Sequence, residues 1–459
     1  MAVFANTPYD KLEIGMEAQS ERLCVADDLY VFANNSGNLN PMHLPKEDGD
    51  GDGRPEAVAP SIWVASLISA VLGNQLPGPG TLYKSQTLNF VGRAHAGDQL
   101  VAKVKLVEKG PDNLARFDTW VEHQDGARVV EGVAEVTAPT SDQSFTADDV
   151  PGLTVQKHMH FDRLLELAEP LPPIPTAVVC PEGKSSLGGA LLGRDHTLIT
   201  PILIGDQAKI EAAADALGAD ISDLVIEHIP DHGAAAARGV ALVHEGRAKA
   251  VMKGHLHTDV LLKHVIKSDG GLRMGRRLSH IFVMDVPGLD HLLLVTDAAI
   301  NIYPDLKTKV DIIQNAIDLA HSLGMPEPKV GILSAVEVVN PAIQSTLDAA
   351  ILSKMADRGQ IKGGIVDGPL AMDNAIDLDA AMTKGIKSLV AGRAEILVAP
   401  NMETGNMLAK QLTFIAHAEA GGVVMGARCP VILNSRADDD KARLASCAVA
   451  ALHAARVAV

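Results

Sequence analysis

Pro430-Val-Ile-Leu-Asn-Ser-Arg-Ala-Asp438 is a strand-like run that passes straight into an Ala-rich helical pattern, setting Ser435 and Arg436 where a strand ends and a helix begins. Such a junction attracts anions, because unpaired backbone N–H groups and the helix dipole both favour negative charge. Arginine adds a permanent fork of donors matched to phosphate or carboxylate. Outward from this point, strand-like runs lie at 177–180, 198–205, 224–229, 248–253, 281–286, 292–296, 330–335, 364–366 and 396–399. Helical patterns such as Lys307–Leu323 and Ile343–Asp357 lie between them. Strand–helix alternation predicts an α/β unit with a parallel sheet. About 300 residues exceed one comfortable core, so two α/β subdomains with a cleft between them are expected, the second at roughly 299–420.

Residues 1–137 have a different texture. The runs 88–91, 99–106, 115–121 and 129–136 alternate with period two and are separated by short turn signals, which predicts an antiparallel sheet. Before them, residues 59–72 read as one apolar helix with a proline near its start. One buried helix beside a curved sheet is an α+β unit. The segment 138–157 begins with a polar, Pro/Ser/Asp-rich stretch and reads as a linker to the α/β unit at 158–459.

The composition agrees with this division. A chain of 459 residues is too long for one ordinary core. It is 47% hydrophobic but only 3% aromatic, with 40 glycines, which suits aliphatic packing of helices on strands. A formal net charge of −17, offset by no Lys/Arg cluster, argues against nucleic acid as a partner. Cys24, Cys180, Cys429 and Cys447 lack metal or disulfide spacing and read as thiols in a reducing compartment. Without a signal pattern or a run of about 18 apolar residues, the expectation is a cytoplasmic protein with no membrane span.

Several signatures fail on inspection. Gly183-Lys184-Ser185 lacks the earlier glycine of a phosphate-binding loop, that position being Val178. Gly78-Pro-Gly80 lacks the third glycine and the context of a dinucleotide fingerprint. Asp48, Asp50, Asp52 and Gly53 start like a calcium loop, but its twelfth position is Ala59. His255, His257 and His264 have no further ligand at convincing zinc spacing, so a polar substrate loop is the better reading and no metal is expected.

The stronger pattern is a set of six polar segments after strands: 253–258, 296–301, 334–337, 367–374, 401–406 and 435–436. In open α/β sheets ligands bind beyond the carboxyl ends of strands, where these segments should gather. Lys253, Thr258, Asn301, Ser334, Glu337, Asp367, Asn374, Glu403 and Asn406 are the candidate substrate-binding residues, with Ser435 and Arg436 catalytic. Singly each segment reads equally well as a helix cap.

The motifs GILSAVE (331–337), DGPLAMDNA (367–375), PNMETGN (400–406) and LNSRADD (433–439) resemble the phosphate acetyl/butyryltransferase family over roughly residues 158–459. The resemblance implies interconversion of acyl-CoA and phosphate with acyl phosphate and CoA. CoA and phosphate are then substrates, and no cofactor is needed. Arg436 would orient phosphate and Ser435 would hydrogen-bond the forming centre. The family places a basic aspartate seven residues after the serine, where this chain has Ala442; Asp438 is the favoured substitute, with Asp439 and Asp440 as alternatives.

Asn38-Leu-Asn-Pro-Met-His43, followed by the Pro-interrupted helix and the sheet, resembles the MaoC-like (R)-specific enoyl-CoA hydratases of the hot-dog fold over residues 10–137. Asn40, Pro41 and His43 match that family's motif, but its catalytic aspartate is Asn38 here. Asn38 can position water yet has no basic carboxylate, so His43 would serve alone. The rivals are a hot-dog unit that only binds acyl-CoA or assembles the protein, and, for the C-terminal part, an NAD- and metal-dependent dehydrogenase of similar architecture using Asp367, Asp373 and Asp377. Both resemblances imply a homodimer or larger even homo-oligomer.

Overall fold

A computed structural model describes residues 3–45, 57–146, 155, 158, 160–434 and 439–457. The chain forms two compact units that divide between residues 155 and 156. The calcium-like loop at 48–53 lies outside the described residues, as do Ser435, Arg436 and Asp438.

The first unit runs β1 (Val3–Ala5), β2 (Glu17–Leu23), α1 (Ala26–Ser36), a 3-10 turn at Pro41–His43, α2 (Ser61–Asn74), β3 (Leu82–Phe90), β4 (Gln99–Lys109), β5 (Leu114–His123), β6 (Arg128–Thr137) and β7 (Ser144–Thr146). Five strands form an antiparallel sheet in the order β2-β4-β5-β6-β3. Helix α2 buries Trp63, Val64, Ile68, Val71 and Leu72, in keeping with its nearly uniform apolarity. It packs into one core with Leu100, Ala102, Val104 and Leu106 of β4 and Phe117 and Val121 of β5, alternate residues as period two demands. The expected linker starts too early. Strand β7 pairs with β1, and Ala138 is buried while its N–H donates to Asn113 O at 3.0 Å. Residues 138–146 therefore belong to the first unit.

The second unit runs α3 (His160–Ala168), β8 (Ile174–Val179), α4 (Lys184–Asp195), β9 (Ile199–Gly205), α5 (Gln207–Asp215), β10 (Val225–His228), α6 (His232–His244), β11 (Ala250–Lys253), α7 (Thr258–Val265), β12 (Ser279–Asp285) and β13 (Leu293–Thr296). It continues through α8 (Leu306–Ser322), β14 (Lys329–Leu333), α9 (Gln344–Asp357), β15 (Ile365–Leu370), α10 (Met372–Ile376), α11 (Leu378–Thr383), β16 (Ile396–Val398), α12 (Met402–Phe414), β17 (Glu419–Met425), β18 (Val431–Ile432) and α13 (Asp440–Val457). All its strands join one sheet in the order β10-β9-β8-β11-β18-β17-β12-β13-β16-β14-β15.

That sheet is mixed, which corrects the expectation of a parallel one. Strands β10 to β18 form one parallel block and β13 to β15 another. Between them β17 and β12 make three successive antiparallel pairings. The two blocks consequently run in opposite senses. Strand β17, absent from the sequence reading, is what reverses the direction; its central Gly421-Gly422 weakens any strand signal.

The two faces of the sheet differ. On one, a continuous core runs from Leu203 and Val178 through Met252, Ile432, Val423 and Ile281 to Val330 and Val366, covered by α3, α4, α8, α9 and α13. On the other, the alternate residues form two separate clusters. One surrounds Val179, Ile204, Val251 and Val431 under α6 and α7. The other surrounds Met284, Val295, Leu333 and Leu397 under α10 and α12. The apolar layer on this face thus divides between β17, whose Val424 belongs to the first cluster, and β12, whose Met284 belongs to the second.

Candidate functional site

The boundary between these two clusters is the candidate cleft. On that face Gly422 lies where the two clusters part. A Cβ there would meet His280 Nε2 at 3.0 Å and Leu433 O at 3.3 Å, so glycine keeps the floor low. Leu433 and Ile300 flank it from the first cluster, and Phe282 and Ala420 from the second.

Lys253 ends β11 at the margin of this cleft and is only 8% exposed. Met252 pairs with Ile432, so Lys253 lies beside Leu433, two residues ahead of Ser435 on the adjoining strand. Its ammonium donates to Gly254 O and Leu256 O, both at 3.3 Å. The loop beyond must hug the loop after β8: His255 N donates to Cys180 O at 2.6 Å, and a Cβ on Gly254 would collide with that carbonyl. Thr258 opens α7, immediately after the N-cap residue His257.

The six polar segments do not leave one end of the sheet, as expected, because the blocks are opposed. Those after β11 and β18 depart at one end; those after β13, β14, β15 and β16 depart at the other. Ile300 packs against the first cluster, which brings the loop after β13 across the cleft. Asn301, Asn406 and Glu403 gather there. Asn406 Nδ2 donates to Ala298 O at 3.0 Å, and Tyr303 donates to Glu403 Oε2 at 3.1 Å. That hydrogen bond, and secondarily the Glu403 charge, raises the Tyr303 pKa.

Sequence reasoning assigned no role to the residue that organises this loop. Asp297 is 2% exposed and accepts hydrogen bonds from the backbone N–H groups of His280 (3.1 Å), Ala299 (3.1 Å), Ile300 (3.2 Å) and Asn301 (2.9 Å), and from Asn301 Nδ2 (2.5 Å). Asn301 Nδ2 also donates to Leu278 O at 2.8 Å. The amide donor of Asn301 is thus turned inward as a brace. His280, also unmarked by sequence, is buried against Phe282 with ring centroids 4.5 Å apart. Burial pushes its pKa down to about 4, with Asp297 opposing. Its only sequence signal is a polar residue at an inward strand position.

Glu337 and Asn374 form a second group, with Asn374 Nδ2 3.3 Å and Lys384 Nζ 3.4 Å from Glu337 Oε2. The Glu337 carboxyl is held below its usual range by its own backbone N–H first, then by Lys384 and Asn374, against desolvation. Ser334 Oγ pairs with Ser345 Oγ at 2.8 Å, and Asp367 accepts from Gly368 N at 2.8 Å. Among the alternatives for the base, Asp439 accepts from Ala442 N at 2.9 Å and so caps α13.

In place of the three histidines considered for zinc, the described residues bring Cys180, Glu182 and His232 within range of a common cation. Glu182 is already engaged: it accepts from Asp206 N at 3.0 Å and faces His232 at 3.3 Å and Lys209 at 3.4 Å. Burial raises its pKa, but those partners together bring it below the ordinary value.

In the first unit the three candidates occupy one turn. Asn38 Oδ1 accepts from Asn40 N at 3.3 Å, and Asn40 Oδ1 accepts from Met42 N at 3.4 Å. His43 Nδ1 lies 2.7 Å from Val58 O. A carbonyl only accepts, so Nδ1 carries the proton, and in the neutral ring Nε2 is left with its lone pair.

Comparison with known proteins agrees with the second unit's architecture. Residues 232–451 match the family model described as phosphate acetyl/butaryl transferase. A phosphate acetyltransferase of Rhizobium meliloti is 56% identical over 296 residues, covering 64% of this chain and 94% of that one. A phosphate butyryltransferase of Clostridium beijerinckii is 43% identical, covering 65% and 98%. The crystal structure of a branched-chain phosphotransacylase from Enterococcus faecalis V583 matches with a TM-score of 0.53 and 29% identity, covering 61% and 99%. The chain is a transferase of the phosphotransacylase-like α/β fold. It belongs to the phosphate acetyl/butyryltransferase family.

Proposed function

We propose that the second unit transfers a short acyl group between CoA and inorganic phosphate. A phosphate oxygen attacks the thioester carbonyl, and the tetrahedral oxyanion collapses with cleavage of the C–S bond. CoA leaves as thiolate and takes up a proton; in reverse, a base removes it. Arg436 orients phosphate, and Ser435 donates to the developing oxyanion. Lys253 supplies buried positive charge at the cleft margin, and the loop braced by Asp297 forms the opposite wall. The observation that carries this reading is the buried Lys253 beside the strand that leads to Ser435-Arg436, next to the glycine where two apolar clusters meet. The test is CoA release from acetyl-, propionyl- and butyryl-CoA with and without phosphate. Release that ignores phosphate, or none with any chain length, refutes it.

The first unit is best read as a hydratase-type hot-dog domain, supported by its sheet around α2 and by the free Nε2 of His43. With Asn38 in place of a carboxylate, His43 is the one base on the turn, and slow crotonyl-CoA hydration is expected. Complete inactivity of both the wild type and Asn38→Asp would leave only a binding or assembly role. Exposed Met407, Phe414 and Ile415 on α12 support a homodimer or larger even assembly through that helix. The four cysteines are free and buried, which supports a reducing, cytoplasmic setting. No described helix is long and apolar enough to cross a membrane.

A further inference from the structure

A cavity of about 750 Å³ opens where the β17–β18 turn meets the carboxyl-terminal ends of α6, α8 and α13. It is lined by four permanent cations, Lys249, Arg276, Arg428 and Arg456, against one carboxylate, Asp318. That is an excess of three positive charges in a chain whose net charge is −17. Two of the cations have evident local duties. Arg276 pairs with Asp318, and Arg456 donates to His321 O at the end of α8, as a helix carboxyl terminus requires. Lys249 precedes β11 and Arg428 sits in the β17–β18 turn, both outside helices, and neither side chain has an ion-pair partner among the described residues. Helix-end capping therefore leaves these two charges unexplained.

We propose that this cavity binds a nucleotide-sized anion carrying two or more phosphate groups, with Lys249 and Arg428 as its principal cationic contacts. The volume falls in the range of small-molecule sites, roughly 300–1,000 Å³, and far exceeds what one inorganic phosphate fills. Guanidinium and ammonium donors are the usual partners of phosphate oxygens. The site is separate from the proposed catalytic residues: Cys429 and Pro430, which line it, precede β18, Ser435-Arg436 come after that strand in the sequence, and Lys253 is not among its lining residues.

The test is calorimetric titration of the full-length protein with ATP and, in parallel, inorganic tripolyphosphate. A single saturable site is expected, weakened at least about tenfold in the double variant Lys249→Gln/Arg428→Gln and restored in Lys249→Arg/Arg428→Lys. The restored variant separates lost charge from lost folding. Michaelis constants for acyl-CoA and phosphate should not change. Absence of saturation into the millimolar range, or equal affinity in the Gln variant, overturns the proposal. So does displacement of ATP by CoA together with a raised KM for CoA in the Gln variant, because the cavity would then belong to the substrate's path. Binding is read directly, so the result stands whether or not acyl transfer is observed.

Discussion

The two units place their candidate residues in opposite ways relative to their cores. The first unit has one continuous core around α2, and Asn38, Asn40 and His43 sit on a turn whose polar atoms largely satisfy one another. The second splits the apolar layer on one face of its sheet and leaves a glycine-floored gap flanked by a buried cation and a buried carboxylate. A satisfied turn makes a shallow site whose chemistry depends on one free atom. The second unit instead sets buried charges at a boundary in its core, where low dielectric strengthens each of them.

The sharpest way to break this contrast is to remove charge from the second unit's site. Arg436→Ala should lower phosphate-dependent acyl transfer by about 10²–10³-fold, the scale of losing one oxyanion-stabilising donor. Crotonyl-CoA hydration should be unchanged. A loss below about threefold would dissociate this arginine from the reaction.

Restoring charge to the shallow site is the complementary experiment. Asn38→Asp should raise crotonyl-CoA hydration by about 10²-fold, because a second proton acceptor returns to the turn that carries His43. His43→Ala should abolish whatever activity the wild type has. If the aspartate variant gains nothing, more than the carboxylate has been lost from this unit.

The pH dependence of stability separates the units as well. His280 is buried in the second, and its pKa is depressed from about 6.5 to about 4. Between those values the unfolded chain binds a proton that the folded chain excludes. Stability from this residue is therefore complete above about pH 6.5 and is lost as the pH falls through about 4. The shift corresponds to roughly 3 kcal/mol. Urea unfolding of the protein at pH values above and below that window should show this slope flattened in His280→Phe. An identical slope in the variant would remove His280 from the account.

Sequence carried much of this architecture. The period-two runs became β4, β5 and β6; the apolar helix became α2; and ten α/β strands were placed within a few residues. One sheet runs through the whole second unit, and the buried residues on one of its faces fall into two clusters. Strand β17 escaped because Gly421-Gly422 stands where β-branched residues would signal a strand, and both glycines serve close approach: Gly421 to Ser446 of α13, Gly422 to His280. Missing that strand hid the reversal of direction, and with it the division of the polar loops between two ends of the sheet. Asp297 was legible only as a loop residue, since four of its five donors are backbone N–H groups, one of them on a distant strand, and the fifth is the Asn301 amide. In the first unit, the same limit concealed Val58 O as the partner that fixes the His43 tautomer.

The smallest expected effect concerns the missing base. Asp439 accepts from Ala442 N at 2.9 Å, the bond of an N-cap, and Ala442 holds the position where the family has its aspartate. A carboxylate oxygen that accepts the backbone N–H at a helix start is held against the helix by that bond. Asp439→Ala should therefore cost about 1 kcal/mol of stability through the frayed first turn of α13 and change acyl transfer only a few-fold. Asp439→Asn should recover most of the stability, because its amide oxygen caps equally well. If both variants instead lose about 10²-fold in the direction that consumes CoA, with thermal midpoints unchanged, Asp439 is the proton acceptor and its capping bond is incidental. A loss confined to Asp438→Asn would assign that role to its neighbour and leave α13 with an ordinary cap.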